Sequence, residues 1–547
     1  METNAPVIVH DIHQKRNIAI LLLLVTVSGI VSALYMYSVD RYSLVYYGDA
    51  SSHLITSRKL LDWKENPGWN QLGTVWLPLP HFLLMFPSIV DGMFFTGFAG
   101  LAISLSSQAI TSIILYKMVT RVLLRISNVG PDIVQYIAIT AALLYALNPN
   151  FVYLGITAMT EAPFMLFFVG SAYYFYRWVE DYKDGAATGG VKHLLVSAAF
   201  ISAATLCRYE GWILPPLLIS FVIMTIFQNR TSRNGAKIAT GRFVIYVSAI
   251  LLISISGIAF WLIFNEFNYG DPLEFANAQY YSAASQALHR AVRENLFLQP
   301  YNVINVYGIT SVAVYGPVVL VAAVVGYLVH RKSKGSRDRK LLLAFLAATP
   351  LFTIVSMLIG IGEMTIWFNS RFVILLSPLL VVLAGISVTK ITRSLSNYRL
   401  TLACIIAGLF AFQLIILIFG PIVTLADAKT GFGYKQTPFA IQAGEKLSQF
   451  YDGAGSIMIL TGSAQEHRIM IASQIPLKYY DTIIESSSWK PSFHYPWRYD
   501  DRLVIISNEP DSDGVSVVKY WNDHRSDLDA HYHVIYQNRY YEILAKR

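Results

Sequence analysis

Runs of about 20 apolar residues, the length a helix needs to cross the hydrocarbon of a bilayer, recur along the chain between short polar loops. Eleven of them begin near Ile18, Ala99, Asp132, Ala162, His193, Gly211, Arg242, Ile304, Leu341, Arg371 and Leu400, and the last ends near Thr424. Lipid offers no partner to an open backbone group, so each run predicts a helix. The first follows Lys15 and Arg16 and precedes no small-residue cleavage site, which reads as a retained helix and not a signal peptide. Phe82 to Phe98 is apolar as well, but Pro87, Asp91 and Gly92 interrupt it. It predicts an interfacial or re-entrant segment.

After Thr424 the period changes. "SIMIL" (Ser456 to Leu460), "RLVIIS" (Arg502 to Ser507) and "HYHVIYQNRYYEIL" (His531 to Leu544) read as strands, the last a hairpin about Gln537 and Asn538. Helical runs near Ala440 to Phe450 and Gln465 to Ala472 alternate with them, which predicts a small α/β domain. The expected fold is an all-α polytopic membrane protein of about 11 transmembrane helices with a small exterior C-terminal α/β domain. Residues 1–424 form the membrane domain, including an outside loop at 39–78 with a juxtamembrane helix, and 425–547 form the exterior domain.

Composition removes the soluble alternatives. Only 14% of the residues are charged and 54% are hydrophobic, where soluble domains carry about 25% charged residues. The net charge of +8 is dispersed among apolar spans, so nucleic acid is not an expected partner and membrane lipid is. Two cysteines, Cys207 and Cys404, lie in apolar stretches and read as small buried hydrophobes. His531 and His533 alternate onto one face of a strand, without the further ligands a metal site needs.

Charge also sets the orientation. With a cytoplasmic N-terminus, every inside loop is basic: Lys117 to Arg125, Arg177 to Lys192, Arg230 to Arg242, Arg331 to Lys340 and Lys390 to Arg399. The outside loops hold Asp49, Glu161, Glu210, Glu266, Asp271, Glu274 and Glu363. The expected location is the cell membrane, with the C-terminal domain and the site outside.

Ionisable groups inside a membrane mark function, and here they gather at the outer ends of different helices. Asp49 follows the first span in "YYGDASSHL", with Tyr47 beside it and His53 one turn on. A carboxylate at the mouth of a wet cleft can take a proton from an attacking hydroxyl; capping a juxtamembrane helix is the plainer role. Glu161 opens the fourth span, Arg208 and Glu210 share the turn "LCRYEGW", and Glu363 and Arg371 precede the tenth span. A guanidinium there can grip a phosphate or simply snorkel. Arg58 and Trp76 complete the expected cleft. Asp49, His53 and Glu161 are ligand types for a divalent metal, and the sequence neither requires nor identifies one.

The order of a single span, a loop with "GDASSHL" and "WLPLPHFLL", then "NPNFVYLGITAMTEAP", "LCRYEGW" and "RFVILLSPLLVVLAG" resembles the integral-membrane glycosyltransferases of the C fold (GT-C), most of all the protein-mannosyltransferase and aminoarabinose-transferase type of family 39. The resemblance runs from about Ile18 to Thr424. It implies a polyprenyl-phosphate sugar donor of the dolichyl-phosphate type, an exterior hydroxyl acceptor on a glycan, lipid or protein, and an inverting single displacement. It places the essential loop aspartate at Asp49, the second acid at Glu161, and phosphate-holding arginines at Arg208 and Arg371. Ala50 stands where protein mannosyltransferases of this type carry a glutamate after the aspartate, which speaks against a protein Ser/Thr acceptor. The alternative class is a secondary transporter of a polar or lipid-linked solute. It would place polar sites at the midplane and show two related halves, and neither is seen here.

Overall fold

The computed structural model describes residues 5–547 except 65, 127–129, 184–189, 231–239, 278–287, 289–291, 333–336, 395–403, 405–406, 409–410, 412–413, 416–421, 431–434, 461–464, 483–490, 509–519 and 522. Seven described helices are long and apolar enough to cross a membrane: Gln14–Val39, Phe98–Leu124, Tyr209–Phe227, Ile245–Tyr269, Pro300–Arg331, Arg337–Leu358 and Ser370–Thr392. The chain is a multi-pass membrane protein. The count of eleven is not reached among the described residues. Pro131–Ala146 and Val191–Thr205 are apolar but shorter than a bilayer requires, and Glu161–Lys183 ends in the charged run Glu180, Asp181 and Lys183. The run from Leu400 to Thr424 lies largely outside the described residues, as do parts of the basic loops around 231–239 and 333–336.

Two compact units are formed, Met1–Leu34 with Ile103–Ile156 and Thr160–Asp427, and Tyr35–Ala102 with Thr157–Met159 and Ala428–Arg547. In the first, Pro300–Lys332 packs along Ser377–Ser394, and Val191–Thr205 packs against both Glu161–Lys183 and Thr240–Tyr269. Helix Pro300–Lys332 breaks at Gly316, whose φ of 75° suits glycine, because Pro317 has no amide hydrogen to continue the ladder. Further along, Gly326 lies so close to the Leu383 carbonyl that any side chain would collide with it. That glycine lets the two helices meet backbone to backbone.

In the second unit, Gly48–Lys59 packs on Leu79–Ser88 and on Gln465–Ser473. The interrupted apolar segment becomes two short helices, Leu79–Ser88 and Asp91–Thr96, and neither is long enough to cross a bilayer. The loop 39–78, expected with the membrane part, belongs to this unit.

Among the described residues the C-terminal sheet has five strands, β1 (Ser456–Leu460), β2 (Tyr480–Thr482), β3 (Asp501–Ser507), β4 (Tyr532–Gln537) and β5 (Tyr541–Lys546), in the order β2-β1-β3-β5-β4. Strand β1 is parallel to β2 and β3, while β5 runs antiparallel to β3 and β4. Met458, Leu460, Val504, Ile506 and Leu544 fill its core with Trp521, Leu528 and Tyr532. Two expectations are corrected. His531 ends the helix Arg525–His531 and stacks on Trp497, so it shares no strand face with His533. Cys207 is buried as expected, whereas Cys404 is exposed.

Candidate functional site

In the membrane unit, four of the expected residues converge. Glu161 starts its helix directly after Thr160 and is 2% exposed, too deep for a carboxylate without a charged partner. It has two. Its Oε1 accepts from Arg208 Nη1 at 2.8 Å and from Arg371 Nε at 3.0 Å. Arg208 also donates to Thr160 Oγ1 at 2.9 Å and to Glu210 Oε1 at 2.8 Å. Both guanidinium groups lie over the Phe372 ring, 5.0 and 5.4 Å from its centre.

The tight local turns explain how distant segments deliver these groups. Arg208 is held extended between helix Val191–Thr205 and the 3-10 turn Tyr209–Ile213. Arg371 opens the 3-10 turn Ser370–Leu376 after Asn369, which adopts the left-handed backbone that asparagine tolerates. Asp427 joins the group unforeseen: it accepts from the Asn369 amide and Ser370 Oγ, and its Oδ2 lies 3.9 Å from Arg371 Nη1. Its only sequence signal is an aspartate directly after a long apolar stretch, in "TLADAKT". The Glu363 carbonyl accepts from Asn369 Nδ2.

An apolar cavity of about 400 Å³ lies elsewhere in the same unit, lined by Ile137, Leu144, Val318, Val321 and Val388 among others. None of the ionisable residues above borders it.

In the other unit, Asp49 sits half-buried in the first turn of Gly48–Lys59, where a carboxylate complements the helix dipole. Arg468 stands against this turn. Its Nη2 donates to the Tyr46 carbonyl at 2.9 Å and its Nη1 to Gln465 Oε1 at 2.8 Å. A side chain at Gly48 would meet that guanidinium at 3.4 Å. Burial disfavours the Arg468 charge, while Tyr541 and Asp49 favour it.

His53 is buried, with Nδ1 2.9 Å from His81 Nε2 and its ring 4.7 Å from that of Trp76. Burial, and then the neighbouring His53, hold the His81 imidazole well below its ordinary value. Next along the helix, Ser52 Oγ lies 2.7 Å from His467 Nδ1. Burial pulls His467 down to about 3, helped by Lys59 and Arg468. Tyr47 is buried too. Arg58 is occupied by structure: it pairs with Asp62 at 3.3 Å and Asp91 at 2.6 Å and donates to the Ser88 carbonyl, tying its helix to Leu79–Ser88. His81 lies within "WLPLPHFLL", where the sequence assigned it no role; His467 and Arg468 carry no motif that singles them out, and "QEHR" on an otherwise apolar helix is the nearest to a signal. No group of three His, Cys, Asp or Glu side chains suited to a metal ion occurs among the described residues.

Residues 81–261 match the family model described as dolichyl-phosphate-mannose-protein mannosyltransferase. The solved structure of ArnT from Cupriavidus metallidurans bound to undecaprenyl phosphate is similar at a TM-score of 0.54 and 12% identity, over 95% of this chain and 97% of that one. Its apo form is similar at 0.53 and 13%, with the same coverage. The apo oligosaccharyltransferase of Archaeoglobus fulgidus aligns at 0.48 and 12% over 89% of this chain and 69% of its own. A search of curated protein sequences finds no match. The chain has the fold of ArnT, the GT-C fold.

Proposed function

We propose that the protein is a membrane glycosyltransferase that moves a sugar from a polyprenyl-phosphate donor to a hydroxyl acceptor on the exterior face. The observation that carries this reading is the convergence of Arg208 and Arg371 on one carboxylate oxygen in a chain with the fold of ArnT, whose structure contains undecaprenyl phosphate. Two guanidinium groups sharing one oxygen are spaced to grip one tetrahedral anion. The apolar cavity has the chemistry to take part of a polyprenyl tail.

A glycosyl phosphate carries its own leaving group, so no covalent enzyme intermediate is required. The acceptor oxygen attacks the anomeric carbon as the bond from that carbon to the phosphate oxygen breaks. The electron pair leaves with the phosphate, where Arg208 and Arg371 stabilise the growing charge. The acceptor proton passes to a carboxylate, for which we assign Asp49. One displacement inverts the anomeric centre. The exterior assignment rests on the basic residues of the opposite loops.

The test is mass spectrometry of lipid retained by the purified protein. A polyprenyl phosphate, with or without its sugar, is expected in the wild type and is expected to be depleted in Arg371→Ala. Retention of neutral lipid and ordinary phospholipid alone, equal in both, would overturn the donor assignment.

A further inference from the structure

The membrane-unit cluster holds more negative charge than a phosphate site should. Among the described residues, the two guanidinium groups of Arg208 and Arg371 face three carboxylates, of Glu161, Glu210 and Asp427, one negative charge in excess. Glu161, Glu210, Arg371 and Asp427 are buried, and the Arg208 side chain is 11% exposed. A phosphate added to it would bring an anion into a low-dielectric pocket that is already over-compensated, an unfavourable step unless a carboxylate gives way.

The contacts single out which one. Glu210 engages Arg208 alone, and Asp427 is held by the Asn369 amide and Ser370 while standing 3.9 Å from Arg371. Glu161 bridges both arginines, and it does so through a single oxygen. Its Oε2 is buried with no hydrogen-bond partner among the described residues, and neither does Arg208 Nε have one. A carboxylate with a free oxygen, beside a guanidinium with a free N–H, falls short of the two-point pairing these groups prefer. Such a contact is more easily exchanged than a saturated one, and Glu161 Oε1 lies where one oxygen of a bound phosphate would bridge the same two donors.

We infer that Glu161 is a built-in counter-ion, a positioning residue that holds Arg208 and Arg371 together in the resting site and is displaced from them by the phosphate of the lipid donor. This rests on the donor reading above and changes the expected part of Glu161: it neither transfers the acceptor proton nor binds the donor. It competes with the donor and keeps two arginines preset while the site is empty.

The consequence has an unusual sign. A residue that helps bind or react can only be harmed by substitution, whereas removing a competitor tightens binding. The full-length protein is titrated in detergent micelles with undecaprenyl phosphate as the probe, comparing wild type, Glu161→Gln and Arg371→Ala. Glu161→Gln keeps the shape and loses the charge. It is expected to bind roughly tenfold or more tighter, about 1.4 kcal/mol, while Arg371→Ala binds more weakly. With the sugar-bearing donor, Glu161→Gln lowers KM by a larger factor than it changes kcat. Equal or weaker binding by Glu161→Gln, beside an Arg371→Ala that does bind more weakly, overturns the counter-ion role and leaves the donor reading standing. Wild type and Arg371→Ala that bind the probe alike, or not at all, overturn both. Should Glu161→Gln not fold, Asp427→Asn removes the second anion near Arg371 without touching Glu161, and tighter binding is expected again; unchanged or weaker binding there overturns the inference.

Discussion

Asp49 and His53 lie one turn apart on the same helix, and their surroundings separate what they can do. Asp49 is half-buried beside a guanidinium, whereas His53 is enclosed with His81 and Trp76. The neighbouring His467 adds a measurable consequence. Its folded value of about 3 lies below the ordinary 6.5, so between these values the unfolded chain binds the proton and the folded chain does not. The stability contributed by the neutral ring is therefore present above pH 6.5 and is lost as the pH falls toward 3. Each pH unit in that window is worth about 1.4 kcal/mol for one such group. The thermal midpoint of the full chain should fall as the pH drops from 6.5 to 4.5, and hydrogen exchange across Gln465–Ser473 should speed up. His467→Gln should show a shallower fall; an identical one would remove His467 as its source. The sequence displays Asp49 openly, after a glycine in a polar loop. It hides Arg468, because the contact with Tyr46 spans 422 residues and only the folded chain brings the two together.

Helices were easier to read than the side-chain network because lipid permits so little else. Phe98–Leu124, Arg337–Leu358 and the helix that begins at Ser377 lie where the apolar runs put them. The pair Gly316 and Pro317 is visible as a break in the string, but that it divides a helix depends on Gly316 taking a positive φ. Strands β1, β3 and the β4–β5 hairpin followed from alternating and β-branched segments. Strand β2 escaped: Tyr480–Thr482 is three residues long and pairs with β1, too short for a period to show. His531 escaped for the opposite reason, since the apparent strand pattern begins one residue before the backbone turns extended at Tyr532.

The sidedness proposed for the chain rests on its cations. If the basic loops are cytoplasmic, residues after the last span face outward. In intact cells, a membrane-impermeant maleimide should label a cysteine introduced at the exposed Asp500 and should not label one at the exposed Arg331 until the membrane is opened. The reverse pattern would place Asp49 and Glu161 indoors and remove the exterior acceptor.

Transfer from any polyprenyl-phosphate sugar leaves the same product, whatever the sugar or acceptor. The decisive measurement is therefore the rate at which free polyprenyl phosphate forms when purified protein is given a whole-membrane extract that carries such donors together with their glycan, lipid and protein acceptors, in wild type and Asp49→Asn. The wild type should release it, and loss of a general base should slow release by roughly 10²- to 10⁴-fold without loss of donor binding. Wild-type protein that releases no lipid phosphate, or an Asp49→Asn variant that releases it at the wild-type rate, would contradict the account.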